Sequence, residues 1–391
     1  ALLAPVVFSV VWEYPIVLVL VGLVRPWGNS EPLSKSQVGL FLGGLACAAA
    51  PPLLLEIMRY DPEFRALFGD QMMIQGAQII LGGGAICAFL LRDRAPLLVI
   101  VLAAMAISGL HIARGYDWAL SERSFFGVMR VAQINDPRLG GPVNVLMHGT
   151  TLHGAQAMND PSRCQPTMYY ATRTPIGQAA LAIRERGPAR IGVVGQGTGA
   201  MAAYKRAGDE MAFFEIDPMV DRLSRDPEWF TFIDGCAQGP IRTVLGDARL
   251  TLAKEAAGTY DLLVIDAFSS DAVPTHLLTE EAIAGYLKLL KPEGVVVLHL
   301  SNRNLEITSP AIAAAQALNV PSLHQIYFED PEAPDMAEAS TEAVVMSPTS
   351  AGLADLAADQ RWSTPEPTSV RPWTDNYVNL FGALLRQQRR Q

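Results

Sequence analysis

The run ARIGVVGQGTGA, residues 189–200, joins a short apolar segment to a glycine loop. Ala189–Val194 reads as a buried β-strand. Gly195-Gln196-Gly197-Thr198-Gly199-Ala200 then turns the chain into a helix predicted to run through Tyr204. Glycines there let the backbone approach a nucleoside and open a helix N-terminus behind it. Downstream, Met211–Ile216, Arg242–Leu245, Leu262–Ile265 and Val295–Leu300 read as further strands. Thr279–Leu290 is amphipathic and helical, stopped by Lys291-Pro292-Glu293-Gly294. Strands alternating with helices predict an α/β domain with a parallel, doubly wound, Rossmann-like sheet. Residues 329–368, rich in Pro, Glu, Ala and Ser, read as loop interrupted by a late strand at Ala343–Met346.

Upstream, Ser124–Val131 and Val143–Met147 are β-rich and mark a small β extension. Before them the composition changes. A helix needs about 20 mostly apolar residues to cross a bilayer. Ala1–Val24 (apolar except for Glu13), Gln37–Leu55, Met72–Leu91 and Ala95–Ile112 meet or nearly meet this. Four such segments argue against a signal peptide, and the lack of polar faces at helical period argues against a soluble bundle. Gly43-Gly44 and Gly82-Gly83-Gly84 suit close helix approach in a membrane. Lys and Arg fall on alternate connectors in similar numbers, so they do not set orientation. Glu13 reads as a locally satisfied carboxylate at a helix kink in preference to a proton path, there being no second intramembrane acid or base in the pattern. The chain opens on Ala1, so further residues, spans among them, are expected before it. The expected organisation is a transmembrane domain of about four helices at 1–115, the β-rich extension at 116–175 and the Rossmann-like domain at 176–391.

Half of the 391 residues are hydrophobic. Residues 1–114 are neutral, and the net charge of −9 falls on the remainder. An acidic domain repels phosphate backbones, so nucleic acid is not an expected partner; a cationic or small neutral substrate fits better. Cys47, Cys87, Cys164 and Cys236 form no C-x-x-C pair, so neither a disulfide framework nor a zinc site is expected.

Glu215 ends the second strand, twenty residues after Gly195. A carboxylate there accepts hydrogen bonds from ribose hydroxyls, in an NAD site as well as in an S-adenosyl site. Asp247, after the third strand, is placed to accept a bond from an adenine amino group. Asp266 ends the fourth strand at the sheet edge where ligands bind, and Asp271 follows on the loop. Two acids there can hold a cationic amine and accept its proton. Alone, Asp266 would read as a helix or turn cap. In register with Gly195–Gly199, Glu215 and Asp247 it reads as part of a site.

Residues from about 124 to 305 resemble the polyamine aminopropyltransferases (spermidine synthase family), and more closely their membrane-fused bacterial branch. The resemblance is carried by SFFGVMRV, LMHGTTLHGAQ, MYYATRTPIGQA, VVGQGTGA, FFEIDP, LGDARL and YDLLVIDAFSSDAVPTHLLTEEA. It implies a methyltransferase-type fold that takes S-adenosylmethionine or its decarboxylated form as substrate, with no metal, and releases 5′-methylthioadenosine. It implies nucleoside contacts from Gly195, Gly197, Gly199, Glu215, Asp247 and Gln156. Asp266 would deprotonate the attacking amine and Asp271 would help hold it. Tyr169 or Tyr170 would line the substrate channel, and as neighbours on a strand only one of them faces it.

Two departures matter. Thr198 stands where the family's glycine loop usually carries an acid, and His148-Gly149 stands where it has Asp-Gly; His153-Gly154 repeats the pairing. Fewer acids weaken recognition of a bare aminopropyl cation and remove repulsion against a carboxylate. Intramolecular attack by the carboxylate of intact S-adenosylmethionine, giving homoserine lactone and methylthioadenosine, therefore stands beside aminopropyl transfer to a polyamine. The Asp266/Asp271 loop argues against methyl transfer, and a transporter or sensor with a nucleoside-binding domain is the alternative of another class. His148 and His153 read as a base or carboxylate partner, or as loop residues bonding backbone; His276, His299 and His324 read as structural. The expected partners are a small-molecule substrate, the lipid bilayer and a second copy of the chain. The expected location is the bacterial inner membrane, with the enzyme domain in the cytoplasm, where S-adenosylmethionine is made. Trp373–Tyr377 resembles a closing segment of the fused proteins, and the basic tail Arg386–Arg390 suits anionic headgroups.

Overall fold

The computed structural model describes residues 13–24, 32–60, 70–113, 118–149, 151–268, 273–334 and 336–390. The chain forms two compact units, 1–118 and 119–391. Asp271 and the first twelve residues of the first apolar segment lie outside the described residues.

The first unit contains α1 (Glu13–Leu23), α2 (Lys35–Tyr60), α3 (Asp70–Leu90) and α4 (Ala95–Ala113). Two stretches, Lys35–Met58 and Ala95–Ile112, are long and apolar enough to cross a membrane; Glu13–Leu23 and Gln75–Leu90 are shorter apolar helices. Gly43-Gly44 and Gly83-Gly84 sit at helix contacts, whereas Gly82 faces open space. A Cβ on Gly44 would come within 2.9 Å of Val101 on α4, and one on Gly84 within 3.1 Å of Cys47 on α2. Near the ends of α2 and α4, Glu56 and His111 pair at 3.3 Å.

The second unit begins with an antiparallel meander, β1 (Trp118–Arg123), β2 (Val128–Asp136), β3 (Gly141–His148) and β4 (Thr151–Ala157). Met129, Val131 and Leu146 on one face pack against Met219, Val220 and Leu223. Those three belong to α6 (Pro218–Arg225), which follows α5 (Pro175–Glu185).

The main sheet holds β5 (Arg190–Val194), β6 (Glu210–Glu215), β7 (Arg242–Leu245), β8 (Tyr260–Ile265), β9 (Leu290–His299), β10 (Ser322–Tyr327) and β11 (Thr341–Met346). Its order is β10-β11-β9-β8-β5-β6-β7, with β5 to β9 parallel and β11 inserted antiparallel to both neighbours. This is the Rossmann-like, methyltransferase-type arrangement of an α/β domain, reversing direction between β5 and β8. Both faces are covered, so the strands are apolar throughout. On β9, Val295 and Val297 join the core beneath α5, while Val296 and Leu298 join the core beneath α8 (Glu280–Leu289) and α9 (Thr308–Ala317).

Three expectations are corrected. The glycine loop leads into a five-residue 3-10 helix, Ala200–Tyr204, too short to present a helix dipole. Tyr169 and Tyr170 lie on a 3-10 turn, Met168–Tyr170, so the alternation of a strand does not apply to them. Cys164 and Cys236 form a disulfide with their Cα atoms 5.4 Å apart, tying the segment after β4 to the turn after α6. Partners 72 residues apart leave no local spacing signal. Cys47 and Cys87 are free thiols.

Candidate active site

The parallel strands end together, and the turns at those ends bring the acids into one place. Gly195 has φ +88°, and a Cβ there would lie 2.1 Å from the Asp266 carbonyl oxygen. The Gly195 N–H donates to Phe214 O at 3.0 Å and the Asp266 N–H to Val194 O at 2.9 Å, which zips the ends of β5, β6 and β8. At Gly197, φ is +52° and a Cβ would meet the His153 carbonyl at 2.7 Å, so the loop also abuts β4.

Glu215 is buried and shapes this loop. It accepts from the Gln196 N–H at 2.8 Å through Oε2 and from the Asp217 N–H at 2.9 Å through Oε1. Burial pushes its carboxyl above the ordinary range, against those two hydrogen bonds. A carboxylate has about four acceptor sites, so lone pairs remain for a ligand. Asp217, which sequence reasoning passed over, caps α6 through Met219 N at 2.9 Å and accepts from the Ser124 hydroxyl.

A first cavity of about 170 Å³ is lined by Gly195, Gly197, Glu215, Asp247, His148 and Tyr170, among others. Asp247 reaches it as the cap of α7 (Ala248–Leu252), accepting from Arg249 N and Leu250 N. Its Oδ2 lies 3.2 Å from His276 Nε2, which also faces the cavity. The capping role weighed for Asp266 thus falls to Asp217 and Asp247. A second cavity of about 420 Å³ is lined by Leu152, His299, Ser301, Arg303, Tyr327 and Glu342, among others. His153, Tyr169, Asp266 and Phe268 line both.

Asp266 therefore stands at a seam. Its Oδ2 accepts from the Tyr170 hydroxyl, and its Oδ1 lies 2.6 Å from His299 Nδ1. Both members of the Asp266–His299 pair are 6% exposed. Burial is the largest influence on the Asp266 carboxyl and raises its pKa. The electrostatic pull of the neighbouring His299 ring and the hydrogen bonds from His299 and Tyr170 outweigh it and hold the group below the usual carboxylate range. Both tyrosines are pushed well above the ordinary phenol range by burial and the Asp266 charge, so they act as donors.

His299, read from the sequence as structural, lies against Asp266 on the wall of the second cavity. Its signal was positional: the pairing Ile265↔Leu298 puts the residues after two adjacent parallel strands side by side. His148 and His153 have ring centroids 5.6 Å apart. Burial lowers the pKa of His148, and burial together with its neighbour brings His153 to about 4, so both are neutral at pH 7.

Three other residues stand apart from the cavity walls. Gln156 is buried, with its amide bonded to Arg163 O at 2.8 Å and to Thr231 at 2.7 and 2.9 Å, bracing the region of the disulfide. This corrects its assignment as a nucleoside contact. Gly199 faces Ile233, where a Cβ would come within 2.5 Å, and corrects likewise. Thr198 is fully buried against Gly154.

No family model matches the chain. Among curated proteins, a polyamine aminopropyltransferase of Vibrio vulnificus (strain CMCP6) is 30% identical over 115 residues, 28% of this chain. The match spans 37% of that relative's length. Among solved structures, a probable spermidine synthase from Corynebacterium glutamicum ATCC 13032 aligns with a TM-score of 0.47 at 14% identity, over 67% of this chain and 98% of that one. Spermidine synthase from Thermotoga maritima aligns with a TM-score of 0.44 at 13% identity, over 68% and 84% of the two chains.

Proposed function

We propose that the chain is a spermidine synthase-like alkyl transferase. It binds an S-adenosyl sulfonium in the first cavity, passes the sulfonium's alkyl arm to an amine in the second, and releases 5′-methylthioadenosine. The observation that carries this reading is the position of Asp266, at the seam of two cavities with Glu215 and Asp247 on the walls of the first. A buried carboxylate there favours the approach of a sulfonium and of an ammonium. The short partial likeness to a polyamine aminopropyltransferase supports the same chemistry. Burial of Asp266 helps keep water, which would otherwise compete as the nucleophile, from this seam.

Arg303 on the wall of the second cavity favours a second reading, in which intact S-adenosylmethionine is cleaved by its own carboxylate. Product analysis tests both. The full chain is offered decarboxylated S-adenosylmethionine with putrescine, or intact S-adenosylmethionine alone. Methylthioadenosine with spermidine supports the first reading, and methylthioadenosine with homoserine lactone the second. S-adenosylhomocysteine as the sole nucleoside product defeats both.

We further propose that the helical unit holds the enzyme at a bilayer. Besides the two long apolar helices, the first unit leaves large side chains such as Leu42, Ile79, Phe89 and Ile107 exposed. The side of the membrane is a separate matter. A cytoplasmic domain would meet its S-adenosyl substrate where it is made, whereas the Cys164–Cys236 disulfide favours an oxidising compartment.

A further inference from the structure

We propose that His299, oriented by Asp266, is the catalytic residue that takes the proton from an amine acceptor lying in the second cavity. This rests on the aminopropyl-transfer reading and narrows it to an intermolecular reaction with an amine.

The geometry leaves the imidazole one free edge. His299 Nδ1 is 2.6 Å from Asp266 Oδ1, and an ionised carboxylate can only accept, so Nδ1 carries the proton in this contact. In the neutral ring Nε2 is then the lone-pair nitrogen. That atom is buried and has no hydrogen-bond partner among the described residues, although His299 is only 5% exposed and lines the second cavity. The ring is held in place by stacking on Tyr169, with centroids 4.7 Å apart, and by the edge-on ring of Phe268 at 5.7 Å. A fixed, desolvated ring on the wall of the second cavity, with one buried and unsatisfied nitrogen, is suited to take a polar hydrogen from a ligand that reaches it.

Asp266 is less suited to that task. Both of its oxygens already accept, from His299 and from Tyr170, and those donors keep its carboxyl acidic. The other titratable groups around the ring have different occupations. Tyr169 and Tyr170 stay protonated, and His153 is neutral. Glu342 on β11 is bonded to His324 at 3.0 Å and to Arg390 at 3.3 Å. Tyr327 on β10 donates to Glu338, and Arg303 lines the cavity beyond β9.

The step balances. The amine lone pair forms an N–C bond to the sulfonium's alkyl carbon, and the C–S pair leaves on sulfur, which becomes a neutral thioether. The N–H proton passes to Nε2, and the imidazolium formed is stabilised by Asp266. Attack by a substrate's own carboxylate would release no proton, so a base on the wall of the second cavity suits an amine and not self-cleavage.

The test uses the full chain in detergent and its His299→Gln variant, which keeps an amide donor toward Asp266 but accepts no proton. Readouts are methylthioadenosine binding, methylthioadenosine release from decarboxylated S-adenosylmethionine with putrescine across pH, and nitrogen NMR of histidine-labelled protein. The expected result is unchanged methylthioadenosine affinity, a rate reduced about 100-fold or more, and an altered pH–rate profile. At pH 8 the His299 signals should show a protonated Nδ1 and a bare Nε2 that responds to putrescine. A variant with wild-type rate and profile, or a proton on Nε2, overturns the assignment and leaves the transferase reading standing. A wild-type chain that neither binds nor releases methylthioadenosine overturns both. Release that needs no amine and is unchanged in the variant overturns the role of His299 in favour of self-cleavage.

Discussion

Gly195 has no room for a side chain because the Asp266 carbonyl lies where its Cβ would be, at 2.1 Å. Its positive φ adds strain for any other residue. Gly195→Ala is therefore expected to destabilise the second unit by about 1–3 kcal/mol and to abolish methylthioadenosine binding by parting β5 from β8. Gly285 in α8 is the contrast, since nothing lies within 4 Å of its would-be Cβ. Gly285→Ala should raise stability by about 0.5–1 kcal/mol and leave binding alone. Thermal unfolding with calorimetric titration separates the two.

Asp266 is expected to matter for turnover more than for holding a nucleoside. Asp266→Asn keeps the shape but can offer its amide hydrogen to His299, which reverses the tautomer. A loss of about 100-fold or more in methylthioadenosine release, with binding retained, is the expected result. Unchanged turnover would remove Asp266 from the mechanism.

Acid should weaken the fold through His153. Its folded pKa is near 4, below the ordinary value for histidine, so from about pH 6.5 downward the unfolded chain binds the proton that the folded chain refuses. Stability from this group is full above pH 6.5 and falls as the pH drops toward 4, by no more than about 3 kcal/mol. Urea midpoints measured from pH 7 to 4 should decline less steeply in His153→Gln than in the parent. Identical slopes would show that the ring is solvated.

The Cys164–Cys236 bridge closes a long loop, and the paired substitution of both cysteines by serine is expected to cost about 4 kcal/mol. Protein purified without reductant from its native source should expose only Cys47 and Cys87, among these four, to alkylation after denaturation. Four reactive thiols in mass spectrometry would place the domain in a reducing compartment.

Asp375 grips Arg249 with two bonds of 2.6 Å, and Arg249 in turn donates to the His276 carbonyl at 2.9 Å. The C-terminal WTDNY segment thus fixes one rim of the first cavity, a role its residues alone did not disclose. Asp375→Ala should raise KM for the S-adenosyl substrate several-fold with little change in kcat, because no reacting atom is touched.

The main sheet was readable because doubly covered parallel strands are short apolar runs: Arg242–Leu245 was placed to the residue, and Leu262–Ile265 within two. Thr151–Ala157 escaped notice because its Gly and His interrupt any apolar pattern. Ser322–Tyr327 is an edge strand paired along its length to β11, with a single bridge from His324 to Ser363 on its other side. Glu215, Asp247 and Asp266 announced themselves by ending strands. His299 ends one too, but nothing in the linear order says that β8 and β9 are neighbours. The tyrosine doublet misled because it was assigned the alternation of a strand, whereas the 3-10 turn brings both rings to the cavities, with centroids 4.6 Å apart.

The sulfur–sulfur link makes a covalent ring of residues 164–236, and that ring encloses Tyr170, Gly195 and Glu215 while leaving Asp266 and His299 outside it. Gentle denaturation should therefore release Asp247, Asp266 and His299 first, yielding an intermediate that still tethers the walls carrying Gly195 and Glu215 but cannot turn over.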